Sequence, residues 1–256
     1  MNFSVIIPAR YQSQRLPGKP LIDLRGKPMV QRVYEQAALS DATRVIVATD
    51  DERIQSAVKS FGGEACMTRE DHKSGTDRLQ EVCILEKFAE DHVVVNVQGD
   101  EPLMPPSVIN QVANNLVQSG SEMATLSEDI DHIDDLLDPN IVKVTTNSNS
   151  MALYFSRAPI PWARDEFSRE NEILPLGVRY QRHLGIYACR VSLLNRYVGW
   201  DQAILEQVEK LEQLRVLWHG VQIHVDRAVE SIPPGIDTQK DLRRTLALLE
   251  EQAKID

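Results

Sequence analysis

The stretch FSVIIPARYQSQRLPGKP, residues 3–20, starts with the texture of a strand and ends with that of a binding loop. Residues 3–8 are apolar and rich in branched side chains, the pattern of a short buried strand. A polar loop punctuated by Pro17, Gly18 and Pro20 follows, and then a helix-like segment at 29–39. The alternation repeats with a strand at 44–49, a helix at 52–61, a loop through Ser74-Gly75-Thr76, a helix at 77–88 and a strand at 92–97. Strands alternating with helices predict βαβ units, so the fold class is α/β with a doubly wound, mainly parallel sheet. Ligands of such sheets sit beyond the carboxyl ends of the strands. That rule selects Ala9-Arg10, Thr49-Asp50 and Gln98-Gly99-Asp100 for scrutiny.

Beyond a helix at 106–118 the texture changes. Extended segments at 123–126, 141–145, 153–156 and 183–188 have little helix between them, which predicts antiparallel or mixed pairing. The interrupted polar run 163–178 reads as a mobile loop. Helices at 205–217 and 241–252 bracket a strand at 222–228. With no internal repeat or low-complexity linker, the expectation is one domain over 1–256, with a smaller β-rich insertion between about 123 and 190.

Composition narrows the function. The 256 residues are 42% apolar and carry a net charge of −10, which argues against a sequence-independent nucleic-acid binder. The charge is unevenly placed: Arg10, Arg15, Lys19, Arg25, Lys27 and Arg32 face only Asp23 within the first 32 residues. A basic patch on an acidic protein suits a small, highly charged anion such as a nucleoside triphosphate. The apolar runs are far shorter than the roughly 20 residues of a membrane helix. No secretory leader is visible, so a cytoplasmic protein is expected. Cys66, Cys83 and Cys189 have no CxxC spacing and read as free thiols.

Three constellations carry chemistry. Arg10, Arg15 and Lys19 lie in a glycine-containing loop after the first strand, where guanidinium forks, an ammonium and open backbone N–H groups can surround a triphosphate. The loop lacks the spacing and GK[ST] ending of a P-loop, and a solvated basic loop would use the same residues. Gln98-Gly99-Asp100-Glu101-Pro102 ends a strand in carboxylates, which are hard-oxygen ligands for Mg²⁺, although Asp and Gly also make ordinary turns. Pro233-Pro234-Gly235-Ile236-Asp237-Thr238 presents Asp237 either as a second metal carboxylate or, with Thr238, as a helix cap. Ser74-Gly75-Thr76-Asp77-Arg78 offers hydrogen-bonding groups to a pyrimidine edge, and helix capping explains the same residues.

In order along the chain, Ile7-Pro8-Ala9-Arg10, Arg15-Leu16-Pro17-Gly18-Lys19-Pro20, Ser74-Gly75-Thr76-Asp77-Arg78-Leu79, Asn96-Val97-Gln98-Gly99-Asp100-Glu101-Pro102, Tyr154-Phe155-Ser156-Arg157, Arg182-His183-Leu184-Gly185-Ile186-Tyr187 and Leu211-Glu212-Gln213-Leu214-Arg215 resemble the CMP-Kdo synthetases, the 3-deoxy-manno-octulosonate cytidylyltransferases of Gram-negative lipopolysaccharide assembly. The resemblance runs nearly end to end. It implies a nucleotide-diphospho-sugar transferase-like fold, a homodimer and Mg²⁺ as cofactor. The substrates it implies are CTP and an eight-carbon sugar acid, joined with loss of pyrophosphate, with no nucleic-acid or membrane partner. It also implies that Arg10, Arg15 and Lys19 hold the phosphates, that Ser74, Thr76 and Arg78 lie near cytosine and ribose, and that Asp100 and Asp237 ligate magnesium. Gln98, Arg157, His183, Tyr187 and Glu212 would line the sugar site, with Arg10, Lys19, Asp100 and Asp237 as the catalytic set.

The chain departs from the family pattern in two places. Ala203, Ile204 and Gln207 stand where that pattern has Ser, Pro and His, and Pro233-Pro234-Gly235 replaces a more usual Gly-Thr-Gly. An amide in place of an imidazole would suit an amino sugar, so 8-amino-3,8-dideoxy-manno-octulosonate is an alternative acceptor. CMP-sialate synthesis and noncatalytic CTP binding are more distant alternatives.

Overall fold

The computed structural model of the chain describes residues 2–12, 16–72, 74–167, 174–175 and 177–252. Its sheet has the order β3-β2-β1-β4-β8-β5-β9. Strands β1 (Phe3–Ala9), β2 (Arg44–Thr49), β3 (Glu64–Met67) and β4 (Val93–Asn96) run parallel. Strand β8 (Gln181–Arg190) runs antiparallel between β4 and β5 (Met123–Asp129), and β9 (Ile223–Arg227) is parallel to β5.

Burial on both faces explains why the early strands are continuously apolar. In β1, Val5 and Ile7 join a core with α1 (Met29–Ala38), α2 (Glu52–Ser60), α4 (Pro106–Ser119) and α9 (Gln239–Gln252). Ile6 faces the opposite core, built with α3 (Gly75–Leu85), α6 (Val191–Tyr197) and α8 (Gln213–Trp218). These three β1 side chains are fully buried. A polar substitution at Ile6 or Ile7 would therefore bury an unpaired group and cost several kcal/mol. The three cysteines are free and buried, as expected of structural thiols.

The segment 123–190 is less separate than its sequence suggests. Its β5 and β8 belong to the central sheet, and only β6 (Lys143–Thr146) and β7 (Ala152–Ser156) stand off the main path, with β6 joined to β8. A short α5 (Ile133–Leu137) precedes that hairpin.

Three other elements differ from expectation. The four-residue β3 lies inside a stretch expected to be loop; it pairs with β2, but it is too brief for an alternation to show. Helix α3 begins at Gly75 because Ser74 accepts from the Asp77 N–H while Asp77 accepts from the Ser74 N–H, a reciprocal capping box. The expected helix at 205–217 is broken into α7 (Ile204–Glu209) and α8 by Lys210, whose φ of 56° is left-handed. The expected loop at 163–178 lies partly outside the described residues.

Candidate functional site

The loops after β1 and β4 form the floor of a cleft of about 200 Å³ lined by Arg10, Lys19, Gln98, Gly99 and Asp100 among others. They approach so closely that a Cβ on Gly99 would lie 2.6 Å from the Pro8 carbonyl oxygen. The glycine is needed for that contact and brings Asp100 under the β1 loop. Across the cleft, Arg10 Nη2 donates to the Ser74 carbonyl oxygen at 2.9 Å, tying the basic loop to the start of α3. Burial, together with the neighbouring Arg78 guanidinium, lowers the Arg10 pKa.

Asp237 reaches the cleft through the turn before α9. The Ile236 N–H donates to the Asp100 carbonyl oxygen at 2.8 Å, and a Cβ on Gly235 would sit 3.3 Å from that oxygen, so the turn is fastened directly to the Asp100 loop. Thr238 takes the capping role: its Oγ1 accepts from the Asp241 N–H at 3.3 Å, and Asp241 Oδ2 accepts from the Thr238 N–H at 2.8 Å. Asp237 turns instead to Lys19, whose Nζ donates to Asp100 Oδ2 at 2.7 Å and Asp237 Oδ1 at 2.9 Å.

Because one ammonium spans both carboxylates, a small cation can too. Among the described residues no group of three or more His, Cys, Asp or Glu is placed to hold a metal. A magnesium ion here would complete its shell with phosphate oxygens and water, the way this ion ordinarily binds. The residues present therefore fit it. Behind them, burial and then the Asp100 charge push the Glu101 carboxyl up to about 8, and its Oε2 has no hydrogen-bond partner.

A second cavity of about 270 Å³ shares Gly75 and Gln98 with the cleft and extends past Thr76, Asn96, Tyr187 and Glu212. Thr76 Oγ1 donates to Glu212 Oε2 at 2.8 Å, so the α3 loop is bonded to the residue opening α8. Burial raises the pKa of Glu212, and the Thr76 bond opposes that shift. Burial also raises Tyr187. Sequence reasoning misses Asn96 as a cavity residue, although an amide inside the apolar strand VVVN is a visible signal; its Oδ1 is buried without a partner. Tyr197, Lys210 and Gln213 also line the cavity; Gln213 falls within the motif around Glu212, while nothing in the local sequence marks Tyr197 or Lys210.

Several expected site residues lie elsewhere. The Arg78 side chain is wholly buried and pairs with Asp50 and Thr68, so it braces the end of β2 and does not line either cavity. Arg157 donates to the Glu209 carbonyl oxygen at 2.7 Å and the Pro139 carbonyl oxygen at 2.9 Å, away from the cavity lining. His183 lies 3.0 Å from Thr125 Oγ1 and packs against Tyr187 at a ring distance of 5.3 Å. Burial pushes its imidazole down to about 3, so it is a neutral support for Tyr187 at physiological pH. Arg15 lies outside the described residues. Gln207 is exposed and its amide donates to the Gln202 carbonyl oxygen at 3.2 Å; Ala203, Ile204 and Gln207 line neither cavity.

A doubly wound sheet with a cleft lined by Arg10 and Lys19 beside a largely apolar cavity that carries a few polar groups suits a nucleotidyltransferase, and the cytidylyltransferase family profile matches residues 4–223. The chain is 55% identical to the 3-deoxy-manno-octulosonate cytidylyltransferase of Photobacterium profundum, over 97% of this chain and all of that protein. It is 58% identical to the enzyme of the same name from Pseudomonas fluorescens, over 97% of this chain and 98% of that one. A solved CMP:2-keto-3-deoxy-manno-octonic acid synthetase complexed with CTP superposes with a TM-score of 0.88 at 41% identity, covering 98% of this chain and 99% of that chain. The chain belongs to the 3-deoxy-manno-octulosonate cytidylyltransferase family, the CMP-Kdo synthetases.

Proposed function

We propose that the protein joins CMP from CTP to the anomeric hydroxyl of 3-deoxy-manno-octulosonate (Kdo), releasing pyrophosphate for lipopolysaccharide synthesis in the cytoplasm, and that it works as a homodimer. The observation that carries this reading is that the cleft holding Arg10 and Lys19 and the cavity holding Asn96, Tyr187 and Glu212 share Gly75 and Gln98 in their walls. A triphosphate in the cleft would place its α-phosphorus beside a sugar in the cavity.

Arg10 and Lys19 would take the phosphate charge, which is the first requirement when a triphosphate and a sugar acid are brought together. Gln98, Asn96, Tyr187 and Glu212 would orient the sugar by hydrogen bonds, two of them from groups whose burial favours the neutral form. Magnesium held by Asp100 and Asp237 would neutralise the triphosphate and lower the pKa of the attacking hydroxyl. The sugar hydroxyl gives up its proton to solvent and its oxygen bonds to the α-phosphorus as the bond to pyrophosphate breaks, with no covalent enzyme intermediate. Positioning supplies much of the acceleration.

The family match favours Kdo over the amino sugar. So does the position of Gln207 outside the cavity. The test is pyrophosphate release with CTP and Mg²⁺, read with and without Kdo and again with UTP in place of CTP. Release that needs both CTP and Kdo is expected, whereas release without sugar, or none at all, would overturn the proposal.

A further inference from the structure

Lys19 is where the two metal-binding candidates meet. Its side chain is 12% exposed, and its Nζ already satisfies the two carboxylate oxygens, Asp100 Oδ2 and Asp237 Oδ1, that face one another. A divalent cation drawn to this pair would need those same oxygens. The ammonium and the metal cannot occupy one centre, because like charges about 3 Å apart repel strongly wherever water is partly excluded.

We infer that Lys19 is a place-holding cation: in the nucleotide-free enzyme it competes with the metal for Asp100 and Asp237, and the arriving triphosphate draws its ammonium away. The inference rests on the proposed binding of CTP in the cleft. Lys19 and Arg10 line the same cleft, so phosphate oxygens entering it come within reach of the ammonium without any backbone movement being required. Its long, flexible stem permits that swing, which a guanidinium fork would make less easily.

The empty enzyme therefore holds the Lys19 ammonium between its two carboxylates and binds metal more weakly before substrate arrives. CTP and metal then bind with positive coupling, each raising the affinity for the other by the same factor.

The competition is read with Mn²⁺ as the probe, by the electron paramagnetic resonance signal of the free ion during titration of the whole protein. Without nucleotide, Lys19→Met should bind Mn²⁺ at least about tenfold more tightly than the wild type, a factor worth about 1.4 kcal/mol. A second substitution, Asp237→Asn, should remove that gain. In the wild type, CTP without sugar should produce a comparable rise in Mn²⁺ affinity, counted beyond the Mn²⁺ that the same CTP binds without protein. Equal or weaker Mn²⁺ binding by nucleotide-free Lys19→Met would overturn the inference.

Thermal melting gives an independent reading. Without the Lys19 ammonium to compete for Asp100 and Asp237, the variant should be raised by Mg²⁺ by more degrees than the wild type is. An equal Mg²⁺ response contradicts the inference. Failure of the underlying assignment looks different: the wild type would then show no CTP-dependent gain in Mn²⁺ affinity.

Discussion

The cleft beneath the β1 and β4 loops and the cavity against β8 share Gly75 and Gln98, yet they are built differently. The cleft is a charged site. Its cations come from one short stretch after β1, and its carboxylates are set by two close backbone approaches, Gly99 on Pro8 and Gly235 on Asp100. The cavity depends on hydrogen bonding. Its polar groups are Asn96, buried on β4, Tyr187, half-buried on the neighbouring β8, and Glu212, exposed ahead of α8, and they stand among apolar side chains. Charge gathering therefore belongs to the cleft, and discrimination to the cavity, where a buried polar group left unpaired strongly rejects a wrong ligand.

The largest effect that would sharpen this contrast is at Asp100. Asp100→Asn should lower kcat by about 10²–10³, the scale of losing one preorganised electrostatic group, while changing the KM for sugar little. A comparable loss expressed only in the sugar KM would erase the proposed division.

The complementary change is in the cavity. Tyr187→Phe and Glu212→Gln should each raise the sugar KM by about tenfold, the cost of one or two hydrogen bonds, with a smaller change in the KM for CTP. Initial-rate kinetics with both substrates varied separate the outcomes. Glu212 carries an added expectation, since its bond to Thr76 links the two sites: Thr76→Val should weaken both substrates together.

Stability against pH tests the burial behind the cleft. Glu101 is a carboxyl whose pKa is raised by folding to about 8, so the native state favours its protonated form. The stability tied to that proton is complete below the ordinary carboxylate range and is lost as pH rises through about 8. Glu101→Gln should therefore melt near the wild type at about pH 5 and above it at about pH 8. A difference of the same size at both pH values would place the carboxyl in water.

The smallest effect concerns α7. Alanine at 203 cannot accept a hydrogen bond at its helix start, although Glu206 still reaches back to the Ala203 N–H at 3.2 Å. Ala203→Ser should complete the capping box and stabilise by about 1 kcal/mol, with unchanged kinetics. Altered sugar selectivity in that variant would move the segment back into the binding site.

Much of the fold is legible because its signals are local. The apolar runs and Gly/Pro breaks mark β1, β2 and β4 and the intervening helices, and the strand-end rule points to Arg10, Gln98 and Asp100. The pairing of β8 between β4 and β5 is not legible, because register is decided by contacts across the chain. From sequence Asp237 reads equally as a helix cap or as a second metal carboxylate; it takes the turn fastened to Asp100 to show that Thr238 caps and Asp237 faces Lys19. Arg78 and Arg157 look like ligand-binding cations because a sequence does not reveal that a guanidinium is already paired. The α7 departures look like specificity changes because they are near Glu212 in sequence, which does not bring them into the cavity.

The most direct measurement is a competition in one tube, with CTP, Mg²⁺ and equal concentrations of Kdo and 8-amino-3,8-dideoxy-manno-octulosonate, the products resolved by mass spectrometry. CMP-Kdo should dominate, and Gln207→His should leave the product ratio unchanged. Dominance of the amino-sugar product, or a ratio that follows residue 207, would contradict the placement of sugar recognition in the Asn96, Tyr187 and Glu212 cavity.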